Sequence, residues 1–138
     1  MYINIKPGYV RNRTESAMVG KEVAKLVTNL KVVNYVLLSS FDPFKILAAK
    51  NENPALVVGT FYKTQMWDDS KANDMKSEFE NLPGMQACVQ KAPNGTEFIN
   101  FLFRNGALLK STNGSFVVMN YKHLQQREVR REQHFPDF

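Results

Sequence analysis

Few side chains in this chain suit acid–base, nucleophilic or metal chemistry. The two histidines, His123 and His134, both lie near the C-terminal end. His123, in Tyr121-Lys122-His123-Leu124, follows a Val-rich stretch that reads as a strand. An imidazole there can act as a general acid or base if a carboxylate orients it. No acid is spaced to do so, and a surface or capping role is expected. His134 sits in a polar tail and carries less weight. Ser39 and Ser40 have neither a Gly-x-Ser-x-Gly elbow nor a paired base, which argues against a serine nucleophile. Asp68-Asp69 resembles half a metal site, yet adjacent acids on a loop usually face water or cap a helix. Cys88 is the only cysteine. It excludes an internal disulfide and a Cys-rich metal site, and its apolar surroundings predict a buried, inert thiol. No Gly-rich phosphate loop occurs, since Gly59 stands alone.

The elements that must position these groups centre on Asn34–Tyr62. Tyr35-Val36-Leu37-Leu38 is a continuous apolar run, as a parallel strand buried on both faces requires. Asp42 is placed to cap a helix, with Pro43 at its first position, where a missing N–H costs nothing. Phe44, Leu47 and Ala48 recur at helical spacing, and Pro54 ends the helix. Ala55–Val58 reads as the next strand, with Gly59-Thr60-Phe61-Tyr62 leading out of it. Together these make one βαβ unit.

Before this unit, Met1–Ile5 alternates as a short strand and Lys6-Pro7-Gly8 turns. Tyr9–Thr14 is a basic loop. A helix capped by Thr14 or Ser16 carries Val19, Val23, Leu26, Val27 and Leu30 as a stripe expected to lie on the sheet. After the unit comes a polar loop around Trp67, then a helix from Asp69 or Ser70 with Met75, Phe79 and Leu82 on one face. Pro83-Gly84 breaks it. Met85–Val89 predicts a fourth strand. Thr96 is expected to cap the longest helix, which bears Phe98, Phe101, Leu102, Leu108 and Leu109. Phe116–Met119 predicts a fifth strand, and residues 124–138 a polar basic tail. Alternating strands and helices imply the α/β class with a parallel sheet, in a single domain spanning residues 1–138.

At 138 residues and 43% hydrophobic, the chain can bury a core of its own. No run approaches the roughly 18 to 20 apolar residues of a membrane span. The N-terminus starts directly on a strand-like alternation, without the basic leader and apolar core of a signal peptide. Three Asn-x-Ser/Thr sequons, at Asn12, Asn94 and Asn113, hint weakly at a secretory origin. The net charge of +5 and pI near 9.4 raise the possibility of a polyanion-binding domain. However, the excess sits in the termini (Lys6, Arg11 and Arg13; Arg127, Arg130 and Arg131) with no aromatic interleaving, so nucleic acid is not the expected partner.

The run Ser39–Tyr62, SSFDPFKILAAKNENPALVVGTFY, resembles the middle of the glycerophosphodiester phosphodiesterase family. There a strand ends in Ser-Phe-Asp/Asn-Pro, a short helix follows, and the next strand opens after an Asn-Pro turn. FINFLFRNGALLKSTNGSFVVMNYKHL is similar to a later stretch of some members, and YINIK resembles the third-strand Ile-Glu-x-Lys. The resemblance covers Tyr2 to about Val129. It implies the middle of a TIM (β/α)8 barrel, about strands three to six, and a metal-dependent hydrolysis of glycerophosphodiesters. It also implies a divalent cofactor, Mg²⁺ or Ca²⁺, and a small phosphodiester substrate.

The family's two catalytic histidines and its Glu-x-Asp ligands precede the third strand and have no counterparts here. Its third-strand metal ligand, a Glu, is matched by Asn4, whose carbonyl offers an oxygen but no charge. The strand-end Lys is matched by Lys6, which can meet a phosphate as a point charge. Phe41, Tyr62 and Trp67, at or beyond strand ends, would line the pocket of a complete barrel. On this reading the chain is incompetent alone. It self-associates or needs a partner to complete the barrel; the alternatives are a non-enzymatic half-barrel binding or assembly module, or a small basic α/β domain.

Overall fold

The computed structural model describes residues 1–6, 12–62 and 69–119. Strands β1 (Tyr2–Ile5), β2 (Leu37–Ser40), β3 (Val57–Tyr62) and β4 (Phe116–Met119) form one parallel sheet in the order β1-β2-β3-β4. Helix α1 (Arg13–Asn29) joins β1 to β2, and α2 (Pro43–Glu52) joins β2 to β3. Between β3 and β4 come α3 (Asp69–Phe79), α4 (Gln86–Lys91), α5 (Gly95–Asn105) and α6 (Ala107–Thr112). The chain divides into two compact units, Met1–Phe61 with Leu108–Val118, and Tyr62–Ala107 with Met119–Phe138.

In the first unit, β1 and β2 run in register Tyr2 to Leu37 through Ile5 to Ser40. β2 and β3 run Leu37 to Val57 through Ser40 to Thr60. Alternation then sorts the side chains onto two faces. Ile5, Leu38 and Val58 face one way and form a core with Ala24 and Val27 of α1 and Ile46 and Ala49 of α2. On the other face lies the lateral row Tyr2–Leu37–Val57, exposed by 49%, 46% and 38%. That degree of exposure leaves three neighbouring apolar side chains unpaired with a second layer.

The two covering helices meet closely. A Cβ on Gly20 would lie 2.1 Å from the Lys45 carbonyl oxygen, so only glycine allows α1 to touch the α2 backbone there. Lys45 is itself 1% exposed, and its Nζ donates to the Lys6 carbonyl at 2.9 Å. Its aliphatic stem fills the space between helix and sheet while its amine satisfies the end of β1.

Caps explain where the helices start. Asn12 Oδ1 accepts from Glu15 N at 3.0 Å and caps α1, in place of the expected Thr14 or Ser16. Asp42 Oδ1 accepts from Phe44 N at 3.0 Å with Pro43 following, as expected for α2. The α2 face that is buried carries Lys45, Ile46 and Ala49, whereas Phe44, Leu47 and Ala48 are only half-buried. The buried face is turned from the one that the apolar spacing predicts, because a lysine takes an interior position.

The α1 stripe is also rotated from expectation. Ser16, Gly20, Ala24 and Val27 are buried, while Val19, Leu26 and Leu30 are exposed. β2 begins two residues later than expected because Val33–Tyr35 form a 3₁₀ turn, with Tyr35 N donating to Val32 O at 2.9 Å. β3 likewise starts at Val57, after Asn53 Oδ1 has taken the Ala55 N–H at 3.0 Å. β3 continues through Gly59-Thr60-Phe61 to Tyr62.

In the second unit the expected strand at Met85–Val89 is absent. Those residues begin α4: Val89 N donates to Met85 O at 3.1 Å and Ala92 N to Cys88 O at 3.2 Å. An apolar run this short is ambiguous between strand and helix, and local hydrogen bonds decide it here. Four strands, not five, therefore stand among the described residues. Cys88 is half-buried on α4. The single long helix expected from Thr96 to Leu109 divides at Gly106, whose φ is +56°. Its cap is Asn94, whose Oδ1 accepts from Glu97 N at 2.8 Å. α1 is the longest helix described. α3 and α5 pack through an edge-to-face pair of Phe79 and Phe98, with centroids 6.3 Å apart.

Replacing Gly20 with Ala should force α1 away from α2 and cost about 2 to 3 kcal/mol. Thermal unfolding of Gly20→Ala should show a midpoint lowered by roughly 5 to 10 °C. An unchanged midpoint would mean that the two helices do not touch at this point.

Candidate functional site

In parallel α/β sheets, chemistry collects beyond the C-terminal ends of the strands. Here that rim comprises Asn4–Lys6, Ser39–Asp42 and Thr60–Tyr62. Ser40 knits it together: its hydroxyl donates to Ile5 O at 2.7 Å and accepts from Asp42 N at 3.1 Å. Ser40 is thereby occupied as a strand-to-helix fastener. Ser39 is fully buried, its hydroxyl 2.5 Å from the Tyr2 phenol.

Two polar atoms at this rim have no hydrogen-bond partner although buried: Asn4 Oδ1 and Thr60 Oγ1. They stand on opposite faces, since Asn4 aligns with Ser39 and Gly59, and Thr60 with Ser40 and Ile5. In the row Asn4–Ser39–Gly59, Gly59 leaves room that the Phe116 ring fills. A Cβ there would come within 2.4 Å of two ring carbons. An orphaned carbonyl inside a protein costs free energy and is one of the few features here that points to a ligand's donor or a cation.

Lys6 is exposed, and its main-chain oxygen is taken by Lys45. Phe41 packs against Phe61, centroids 4.1 Å apart and planes inclined by 52°. The rim therefore has an aromatic wall between the ends of β2 and β3. Tyr62 is 2% exposed, so its ring is enclosed rather than offered to solvent. Trp67, His123, His134 and Asp68 lie outside the described residues. The structure thus brings together Asn4, Lys6 and Phe41 at neighbouring strand ends. It adds Thr60, Phe61 and Lys45, which periodicity did not single out. Thr60 was legible only as a polar residue in an otherwise apolar strand.

A divalent cation takes about six oxygen ligands, several of them charged. Among the described residues no three or more His, Cys, Asp or Glu side chains converge. Asn4 supplies one neutral oxygen, so the described residues do not by themselves make a site for Mg²⁺ or Ca²⁺. A shallow depression of about 280 Å³ does occur, but at the N-terminal ends of β2 and β3, lined by Tyr35, Leu37, Ala55 and Val57. It has no carboxylate, imidazole or cation in its lining and lies at the wrong end for strand-end chemistry. No helix among the described residues is long and apolar enough to cross a membrane. Comparison with family models, with curated proteins and with solved structures finds no match to this chain.

Asn4→Val keeps a similar volume, suits a strand and removes the orphaned carbonyl. Its unfolding free energy should rise by about 1 kcal/mol if the amide is unsatisfied in the free protein. A loss of stability on chemical denaturation would show that Asn4 has a partner in solution.

Proposed function

We propose that this chain is the middle of a glycerophosphodiester phosphodiesterase-type (β/α)8 barrel. The family reaction is metal-dependent hydrolysis of glycerophosphodiesters to glycerol phosphate and an alcohol. One observation carries the reading beside the resemblance of Ser39–Tyr62: the strands follow in sequential order, with α1 and α2 on one face. A sheet wound in one direction curls towards a barrel, whereas a doubly wound sheet reverses its order. The exposed row Tyr2–Leu37–Val57 would then be interior to the closed barrel. Asn4, Lys6 and Phe41 would stand at its mouth, where substrate binds.

On this reading the chain contributes phosphate and substrate contacts but not the acid, base or charged metal ligands. Lys6 would meet the phosphate, and Phe41 with Phe61 would border the alcohol. Asn4 would accept a hydrogen bond rather than neutralise charge. Open sheet margins make self-association, or a partner that completes the barrel, the expected state. The same open face also favours the second reading, a binding or assembly module without catalysis.

The purified chain should not hydrolyse glycerophosphocholine in Mg²⁺ or Ca²⁺. Mixed with the N-terminal half of a family enzyme that carries the two histidines and acidic ligands, it should restore metal-dependent turnover. Lys6→Ala should lower that turnover about tenfold or more, the loss of one charged contact to phosphate. Turnover by the chain alone would contradict its incompetence. A silent mixture of well-folded halves would favour the non-enzymatic module.

A further inference from the structure

Asparagine precedes glycine at Asn94-Gly95, Asn105-Gly106 and Asn113-Gly114. Such a pair is chemically labile, because a glycine has no Cβ to keep its own backbone nitrogen away from the preceding side-chain amide. Attack needs a side chain free to swing and a glycine nitrogen that can give up its hydrogen bond. The three pairs differ in both respects.

At Asn94 both groups are held. Its Oδ1 accepts from Glu97 N at 2.8 Å, and Gly95 N donates to Asn73 Oδ1 at 2.8 Å. Gly95 is buried, and a Cβ on it would lie 2.3 Å from the Ala72 carbonyl carbon, so that backbone has no room to turn. Asn105 closes α5, and its Nδ2 donates to Phe101 O at 3.2 Å. Helix and side-chain bond hold it together. Asn113 is exposed, and among the described residues its side chain makes no hydrogen bond. It follows α6 with φ +52°, a left-handed conformation that asparagine tolerates better than most residues. The attacking nitrogen is restrained by the bond from Gly114 N to Leu109 O at 2.9 Å, at the end of a six-residue helix where opening is local.

We propose that Asn113 is a site of spontaneous deamidation that loosens β4 as the chain ages. The Gly114 nitrogen, having lost its proton to solvent base, attacks Asn113 Cγ. The new N–Cγ bond closes a cyclic imide as Cγ–Nδ2 breaks, and Nδ2 leaves as ammonia. Water then opens the imide at either carbonyl, to aspartate or to isoaspartate. The net change consumes one water and releases one ammonia, with no oxidation. Isoaspartate routes the chain through Cβ and so adds a backbone carbon between α6 and β4. That joint sets β4 on β3: Ser115 N donates to Val58 O at 2.8 Å, and the Phe116 ring fills the space over Gly59. A longer backbone there pulls both contacts out of register. The proposal is independent of the phosphodiesterase reading.

The test ages the full chain in mildly alkaline buffer at body temperature and maps it by proteolysis and mass spectrometry that separates aspartate from isoaspartate peptides. Asn113 should convert first, with Asn94 and Asn105 slower by about tenfold or more, the protection that an additional hydrogen bond supplies. Asn113→Gly keeps the left-handed turn and should abolish that product alone. The aged chain should exchange its Ser115 amide faster than the fresh one. Asn113→Asp, which has the charge without the additional backbone carbon, should not. Faster conversion at Asn94 or Asn105 would overturn the proposal. So would an Asn113 that converts only in urea, or an isoaspartate chain whose Ser115 exchange matches that of the fresh chain.

Discussion

The close approach of α1 to α2 is the constraint from which the rest of the first unit follows. Gly20 lets one helix rest directly on the backbone of the other at Lys45. Lys45 then reaches down to the carbonyl of Lys6, so the end of β1 is tied directly to α2. With both helices held on one face, β1, β2 and β3 must follow each other in sequence, and their C-terminal ends must collect Asn4, Ser40 and Phe41 at one rim. A helix spacing wider by a single methyl group would loosen that rim as well as the core.

The rim is built from short polar fasteners rather than from a charged cluster. Ser40 spends both its donor and acceptor capacity on Ile5 and Asp42, and Asp42 spends its carboxylate on the first turn of α2. Among the described residues two buried polar atoms remain without a partner, the Asn4 carbonyl and the Thr60 hydroxyl oxygen, and they lie on opposite faces of the sheet. Each can take a hydrogen bond on its own face of the sheet.

Much of the first unit was legible in the residues. The Asp42-Pro43 start of α2, the α1 and α2 crossovers and the strands at both ends of the sheet all announce themselves through caps, breakers and apolar runs. What misled was orientation. Lys45 reads as a surface residue yet is buried by its long apolar stem, which turned the predicted face of α2. Val19, Leu26 and Leu30 read as core and lie at an open margin, because periodicity reports that a stripe exists and not whether anything covers it. Met85–Val89 has strand-like composition, but the turn at Pro83-Gly84, where Gly84 has φ +73°, delivers it into local helical hydrogen bonds. At the candidate site, Asn4 and Phe41 were found through family resemblance and strand ends. The orphaned Thr60 emerges only once strand register is known.

The most direct test of this account is a nuclear Overhauser map of the strand backbones in solution. Parallel contacts pairing Asn4 with Ser39, and Ser39 with Gly59, are predicted, with none between β1 and β3. Antiparallel cross-peaks, or β1 found between β2 and β3, would contradict the sequential order on which the barrel-type reading rests.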